Sequence, residues 1–360
     1  MGTCVNCECT STPAVGVQLA TADLRMLVSA PAGQLATVLT DVAAGLGLLV
    51  DQLAPGLWEL RGDQLPAAVS ALREATSTVE AAQIRVVLHE GDADDRGLVA
   101  AAMAAPTLDQ LDAQARGSQL RELFADERSA FRSAYQPIVE LPSQRTVAFE
   151  ALLRARTAEG AELAPAPLFD QAQRAGWSPR LDRIGRTTAL HGAAGWLGDR
   201  SLFVNFIPTS IYDPKVCLQT TERAAHRAGI PLEQVVFEVT ESERVTDVAH
   251  LERIFDYYRE RGCRVALDDL GAGYSSLELL VRLRPDVVKL DRTLIENLPE
   301  ATSTAVVRAV IEITHTYGGL VLAEGVETVT QSDAVNDLGV DLGQGWLYGR
   351  PAFPEARAAA

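Results

Sequence analysis

From Tyr135 onward the sequence repeats one unit, a short apolar run rich in β-branched residues followed by a stretch with helical spacing, and this recurrence constrains the fold more than any other feature. Strand candidates fall at 135–139, 147–153, 202–205, 235–239, 265–267, 287–290 and 320–323, with a last short one before Gly345. The clearest helical stretches are 169–175, 181–197, 251–261, 304–317 and 329–338. Gly262, Gly318 and Gly339 follow the last three, where helices end on a left-handed residue. Eight strands with intervening helices over about 220 residues predict an α/β fold of the TIM-type (β/α)8 barrel class, with an open doubly wound sheet as the alternative.

The part before the barrel is shorter and less regular. An apolar stretch at 17–28, helical spacing at 35–49 and 65–75, and strand candidates at 56–60 and 83–88 predict a smaller N-terminal α/β domain of about 100 residues. Its carboxylates are scattered, and Asp92, Asp94 and Asp95 read as a solvated acidic turn. An amphipathic stretch at 104–132, broken at Gly117, predicts a helical connector. The expected organisation is a Cys-rich tail at 1–14, a sensory or regulatory domain at 15–117, a connector at 118–134 and the barrel at 135–356.

Charge narrows the partners. The 32 Lys and Arg against 48 Asp and Glu leave a net charge of -16, which argues against polymeric nucleic acid and anionic membrane, since both reward a basic face. A small anionic substrate remains open if metal ions and a few placed cations supply local positive charge. No apolar run reaches the roughly 18 to 20 residues of a membrane span, and the N-terminus has no export-signal pattern. Five cysteines, three of them crowded at Cys4, Cys7 and Cys9, do not form a secreted disulfide framework, so a cytoplasmic location is expected. Those three thiols are candidates for a metal or redox element, although the sequence nominates no fourth ligand, and a reduced tail is the alternative. Cys263 precedes a buried strand and reads as a small core residue.

A barrel gathers the polar residues at the C-terminal strand ends to one mouth. Glu150 lies in the second strand, Asn205 ends the third, Glu238 and Glu241 end the fourth, and Asp268 with Asp269 end the fifth. Lys289 ends the sixth, Glu324 and Glu327 follow the seventh, and Gln344 precedes the close of the last. A single strand-end carboxylate is most simply a surface or capping group, and Asp268-Asp269 running into Leu270-Gly271-Ala272-Gly273 is alone a turn. Recurrence strand after strand is not explained that way. An oxygen-only set of this hardness suits Mg²⁺ or Mn²⁺, and the lack of cysteine and histidine disfavours zinc. The pattern points to a barrel enzyme acting on a phosphate ester through one or two hard cations, with Asp268 placed to bridge them. Lys289 either holds an attacking water or phosphoryl oxygen, or snorkels from a strand end.

The ordered motifs Tyr135-Gln136-Pro137, Glu150-Ala151-Leu152-Leu153-Arg154, Asn205 with Pro208, Glu238-Val239-Thr240-Glu241, Asp268-Asp269-Leu270-Gly271, Lys289-Leu290-Asp291, Glu324-Gly325-Val326-Glu327 and Gln344-Gly345 resemble the EAL-domain cyclic-di-GMP phosphodiesterases over residues 131–356. The resemblance implies a modified TIM barrel that hydrolyses cyclic di-GMP to linear pGpG with two Mg²⁺ or Mn²⁺ ions. It implies Glu150, Asn205, Glu238 and Asp268 as ligands of one metal, and Asp268, Asp269 and Glu324 as ligands of the second. It also implies that Lys289 contacts the nucleophilic water, Glu324 assists its deprotonation, and Gln136, Leu152, Arg154, Glu327 and Gln344 touch substrate. Glu241 is implied as a brace for the loop after Asp269, and a homodimer through the barrel as the assembly. Leu270 and Ala272 depart from the Phe and Thr usual in the family, and Trp346 from its Tyr. A small-molecule or metal signal at the N-terminal domain is a further expectation. Retention of every ligand position favours an active enzyme over a silent cyclic-di-GMP receptor, and the substrate-contacting positions favour it over a barrel acting on another phosphodiester.

Overall fold

The computed structural model describes residues 24–31, 35–90, 105–116, 118–240, 248–270 and 276–354. They fall into two units, one drawn from 8–125 and 166–178 and the other from 126–165 and 179–360.

The smaller unit is an antiparallel sheet with helices. Its strands are β1 (Leu24–Ser29), β2 (Leu49–Ala54), β3 (Leu57–Arg61) and β4 (Arg85–Glu90), in the order β2-β3-β1-β4. The helix Leu35–Leu46 buries Leu35, Leu39 and Ala43, a spacing of four that keeps one stripe on the core. It ends three residues before the expected boundary: Gly47 turns the chain at φ 66°, and Leu49 opens β2. No strand was expected there because β2 is an edge strand whose side chains are almost all exposed, so it has no apolar alternation. Met26, Leu39, Leu60, Leu65 and Leu72 are fully buried at the centre of this unit.

In the larger unit the strands are β5 (Phe131–Glu140), β6 (Arg145–Arg156), β7 (Glu162–Leu163), β8 (Ser201–Asn205), β9 (Val235–Thr240), β10 (Arg264–Leu270), β11 (Val287–Leu290), β12 (Leu320–Ala323) and β13 (Leu342–Gln344). They run β5-β13-β12-β11-β10-β9-β8-β6-β7, and pairing of β5 with β6 closes eight of them into a barrel with β7 appended outside. The barrel is modified in one respect: β5 is antiparallel to both of its neighbours, β6 and β13. Only four residues join β5 to β6, enough for a tight turn and too few for a parallel crossover. β5 also begins at Phe131, so the helical connector expected over 118–134 is helical only as far as Ala130. The helix Val329–Leu338 has the expected bounds; Thr328 and Gln331 form a capping box, and Gly339 ends it at φ 89°.

Candidate active site at the barrel mouth

One residue from each barrel strand fills the interior: Ile138, Ala148, Phe203, Val236, Ala266, Val287, Leu322 and Leu342. Strand side chains alternate between faces, so the next inward layer lies two residues further along each parallel strand, and two residues back in antiparallel β5. That layer reads Gln136, Glu150, Asn205, Glu238, Asp268, Lys289, Glu324 and Gln344. All eight positions are polar, and all eight were candidates from the sequence. An apolar plug thus floors a ring of hydrogen-bonding and charged groups at the C-terminal ends of the strands.

Lys289 is the hub of the ring. It is 1% exposed, so it does not snorkel. Its Nζ lies 2.7 Å from Glu324 Oε1, 2.9 Å from Asp268 Oδ1 and 3.2 Å from Glu238 Oε2. On the other side, Asn205 Nδ2 donates to Glu150 Oε1 at 3.2 Å and Gln344 Nε2 to Glu150 Oε2 at 2.6 Å. Gln344 Nε2 also reaches Gln136 Oε1 at 3.3 Å, and Gln136 Nε2 donates to the Gly349 carbonyl at 3.2 Å.

Burial shapes the charge state. Glu238, fully buried, is pushed well above the usual carboxylate range by loss of water; Lys289 opposes this, while Glu150 and Asp268 add to it. Burial also lifts Glu324 to about 8 against the pull of Lys289. Burial raises Glu150 too, but Lys289, the neighbouring Glu238 carboxyl, and the amides of Gln344 and Asn205 outweigh it and hold that carboxyl below its ordinary value. Loss of water works against the Lys289 ammonium, yet Asp268, Glu150, Glu238 and Glu324 together keep it protonated. Two neighbouring buried carboxyl groups do not both ionise unless a cation lies between them; otherwise one keeps its proton.

The chemistry of the ring, though not its present spacing, suits a hard divalent cation by three observations. Every ring side chain except Lys289 carries an oxygen able to ligate a cation; no amide, guanidinium or hydroxyl donor reaches either buried Glu238 oxygen; and four carboxylates face a single ammonium. Among the described residues no three His, Cys, Asp or Glu side chains are drawn together tightly enough to hold an ion, and the cationic centre is the Lys289 ammonium.

Leu152 and Arg154 continue the Glu150 face of β6 by alternation, beyond the ring. The Arg154 guanidinium donates to the Leu153 carbonyl at 2.9 Å, and Glu327 pairs with Arg292 at 3.3 Å; neither contacts the ring. Cys4, Cys7, Cys9, Glu241 and Ala272 lie outside the described residues, as does the side chain of Asp269. Leu270 is buried in the core packed around the barrel.

Three supporting features were missed from the sequence. Asp182 and Arg186, 4% and 2% exposed, form an ion pair of 3.0 Å, and Asp182 Oδ1 accepts the Ile207 N–H at 2.8 Å, two residues beyond Asn205. Their spacing of four on a helix was the available signal. Arg292 holds Glu327 as described. Gly345 lets the loops after β12 and β13 touch: a Cβ there would sit 2.0 Å from the Val326 carbonyl oxygen. The Val326 N–H donates to the Gln344 carbonyl at 3.0 Å, tying the loop that carries Glu324 and Glu327 to Gln344.

A model of the EAL domain family matches residues 118–351. The chain belongs to the EAL domain family. A cyclic di-GMP phosphodiesterase of Pseudomonas aeruginosa is 31% identical over 278 residues, 75% of this chain and 46% of that protein. A standalone EAL protein of Vibrio cholerae, solved in its c-di-GMP-bound form, is 33% identical with a TM-score of 0.56, over 63% of this chain and 94% of that one. The Pseudomonas aeruginosa MucR phosphodiesterase in complex with c-di-GMP is 28% identical with a TM-score of 0.57, over 63% of this chain and 99% of that one. The chain spans 20% to 46% of the length of the curated relatives it matches. No helix of the described residues is long and apolar enough to cross a membrane.

Proposed function

We propose that the barrel hydrolyses cyclic di-GMP to linear pGpG with two divalent cations, Mg²⁺ or Mn²⁺. The observation that carries this is the unbroken polar ring above the apolar plug, with a buried lysine among its carboxylates. Glu150, Asn205, Glu238 and Asp268 would hold one cation, and Asp268, Asp269 and Glu324 the other. Such ions supply Lewis-acid charge to the phosphodiester and acidify a water. Lys289, fixed between Asp268 and Glu324, orients the attacking water and donates to a phosphoryl oxygen, while Glu324 receives the water's proton. Gln136 and Gln344 offer amides to the substrate, Glu327 a carboxylate, Leu152 an apolar wall and Arg154 a guanidinium fork suited to phosphate. Glu241 braces the loop beyond Asp269.

The proposal extends to a cytoplasmic homodimer joined through the barrel and controlled by the sensory domain at 15–117, with Cys4, Cys7 and Cys9 as a metal or redox element. Purified chain incubated with cyclic di-GMP should yield pGpG with Mg²⁺ or Mn²⁺ and none with EDTA or after Asp268→Asn. Tight binding without turnover in every metal would replace the enzyme with a receptor.

A further inference from the structure

Outside the barrel wall, and within the larger unit alone, the helices Ser178–Ala193 and Gln219–Ala228 and the start of β5 border a second cavity of about 1020 Å³. Five arginines line it against one carboxylate, Glu127. In a chain of net charge -16 this is a local reversal of sign.

The one carboxylate is already engaged, since Glu127 Oε1 accepts from Arg180 Nε at 2.9 Å and from Arg183 Nη2 at 3.0 Å. Arg132 pairs with Glu162 and lays its guanidinium over the Phe353 ring at 3.6 Å. That leaves Arg128, Arg223 and Arg227, which form no ion pair among the described residues; Arg223 donates to the Gln219 amide oxygen at 3.2 Å. Partial burial, then Arg227 and Arg128, hold the His191 imidazole of the same cavity below its ordinary value. One wall is Trp196, fixed by an Nε1–H bond to the Gly192 carbonyl at 2.7 Å and by edge contacts with Tyr135 and Phe149 at centroid distances of 4.8 Å and 5.1 Å.

Guanidinium forks match phosphate oxygens in pairs, and a concave surface lined by one sign of charge concentrates ions of the other. The volume suits a small molecule. A polymeric nucleic acid is a poor fit, because the acidic remainder of the chain repels it. We propose that this cavity is a second anion site for a small ligand carrying two or more phosphate groups, held by Arg128, Arg223 and Arg227. The shared chemistry is the pyrophosphate group, free or as part of a nucleotide whose ring lies along Trp196.

The test is calorimetric titration of the full chain with inorganic pyrophosphate and with GDP, in EDTA and about 50 mM salt, so that no metal recruits phosphate to the barrel mouth. One site per chain is expected, at least about tenfold weaker in Arg223→Ser/Arg227→Ser and unchanged in Asp268→Asn. Equal affinities for the two ligands would identify phosphate as the recognised group; tighter GDP binding would add the Trp196 wall. Both substituted arginines are exposed, and a thermal melt checks that the double variant folds. No binding of either ligand at about 1 mM, undiminished binding by the double variant, or loss of binding in Asp268→Asn would each overturn the proposal.

Discussion

Gly345→Ala tests whether the contact between the two loops positions the ring. The added Cβ would meet Val326 backbone at 2.0 Å (O), 2.4 Å (N) and 2.5 Å (C), whereas real Cβ contacts essentially never fall below 3.0 Å, so the loops must part by about 1 Å. Backbone cannot swing aside as a flexible side chain can. Parting by that much breaks the bonds from the Val326 N–H to the Gln344 carbonyl, 3.0 Å, and from the Leu347 N–H to the Val326 carbonyl, 3.1 Å. Two backbone bonds lost, one inside the fold and one to exposed Leu347, cost about 1–3 kcal/mol, which in a domain of this size is a fall in Tm of about 2–12 °C. Glu324 and Glu327 move with one loop and Gln344 with the other, and a displacement of about 1 Å at a reacting group costs about 10²-fold in rate. Cyclic di-GMP turnover, resolved into kcat and KM, and a thermal melt measure the two effects separately. A variant that melts and turns over like the unchanged protein would refute the positioning argument. A melting loss with normal kcat would refute only the link to catalysis.

Three further outcomes are expected. Lys289→Met leaves three buried carboxylates and the part-buried Glu324 with no ammonium among them; it should abolish turnover and cost about 3–5 kcal/mol in EDTA, with a smaller loss in saturating Mn²⁺, both stabilities read from thermal melts. Asp182→Leu strands the Arg186 guanidinium and frees the Ile207 N–H, so it should cost about 3–5 kcal/mol, while Asp182→Leu/Arg186→Met recovers most stability in denaturant titration. Burial pushes the Cys263 thiol up to about 12; a raised thiol pKa means less thiolate, about one in ten thousand at pH 8. Cys263 should therefore resist iodoacetamide at pH 7 to 9 until the chain unfolds, as judged by mass spectrometry of the labelled peptide.

The ring could be read from the sequence because a strand places side chains by parity. Ala266 and Asp268, or Val287 and Lys289, share a face wherever the strand goes, so locating the apolar plug also locates the polar layer above it. Parity carries no direction, however. Gln136 entered only as a substrate contact implied by the resemblance, and the reversal of β5 passed unseen, although the seven residues between the expected strands 135–139 and 147–153, Pro142 and Ser143 among them, were already too few for a parallel crossover. β2 was missed for the opposite reason, since an exposed edge strand gives parity nothing to mark.

Features that depend on two distant segments were the least legible. The space that Gly345 leaves for Val326 is a property of two loops in contact, and Arg292 finds Glu327 across a helix and a strand. The arginine cavity is assembled from segments as far apart as Arg128 and Phe353, each of which alone is an ordinary surface. A net charge of -16 even argues locally against it, because the sum over the chain hides one concave surface of opposite sign. Composition therefore bears on bulk partners such as nucleic acid or membrane. A small anion answers to the few groups that face it, and by that measure the barrel mouth and the arginine cavity are opposites: four carboxylates surround one ammonium at the mouth, whereas five arginines and one carboxylate line the cavity.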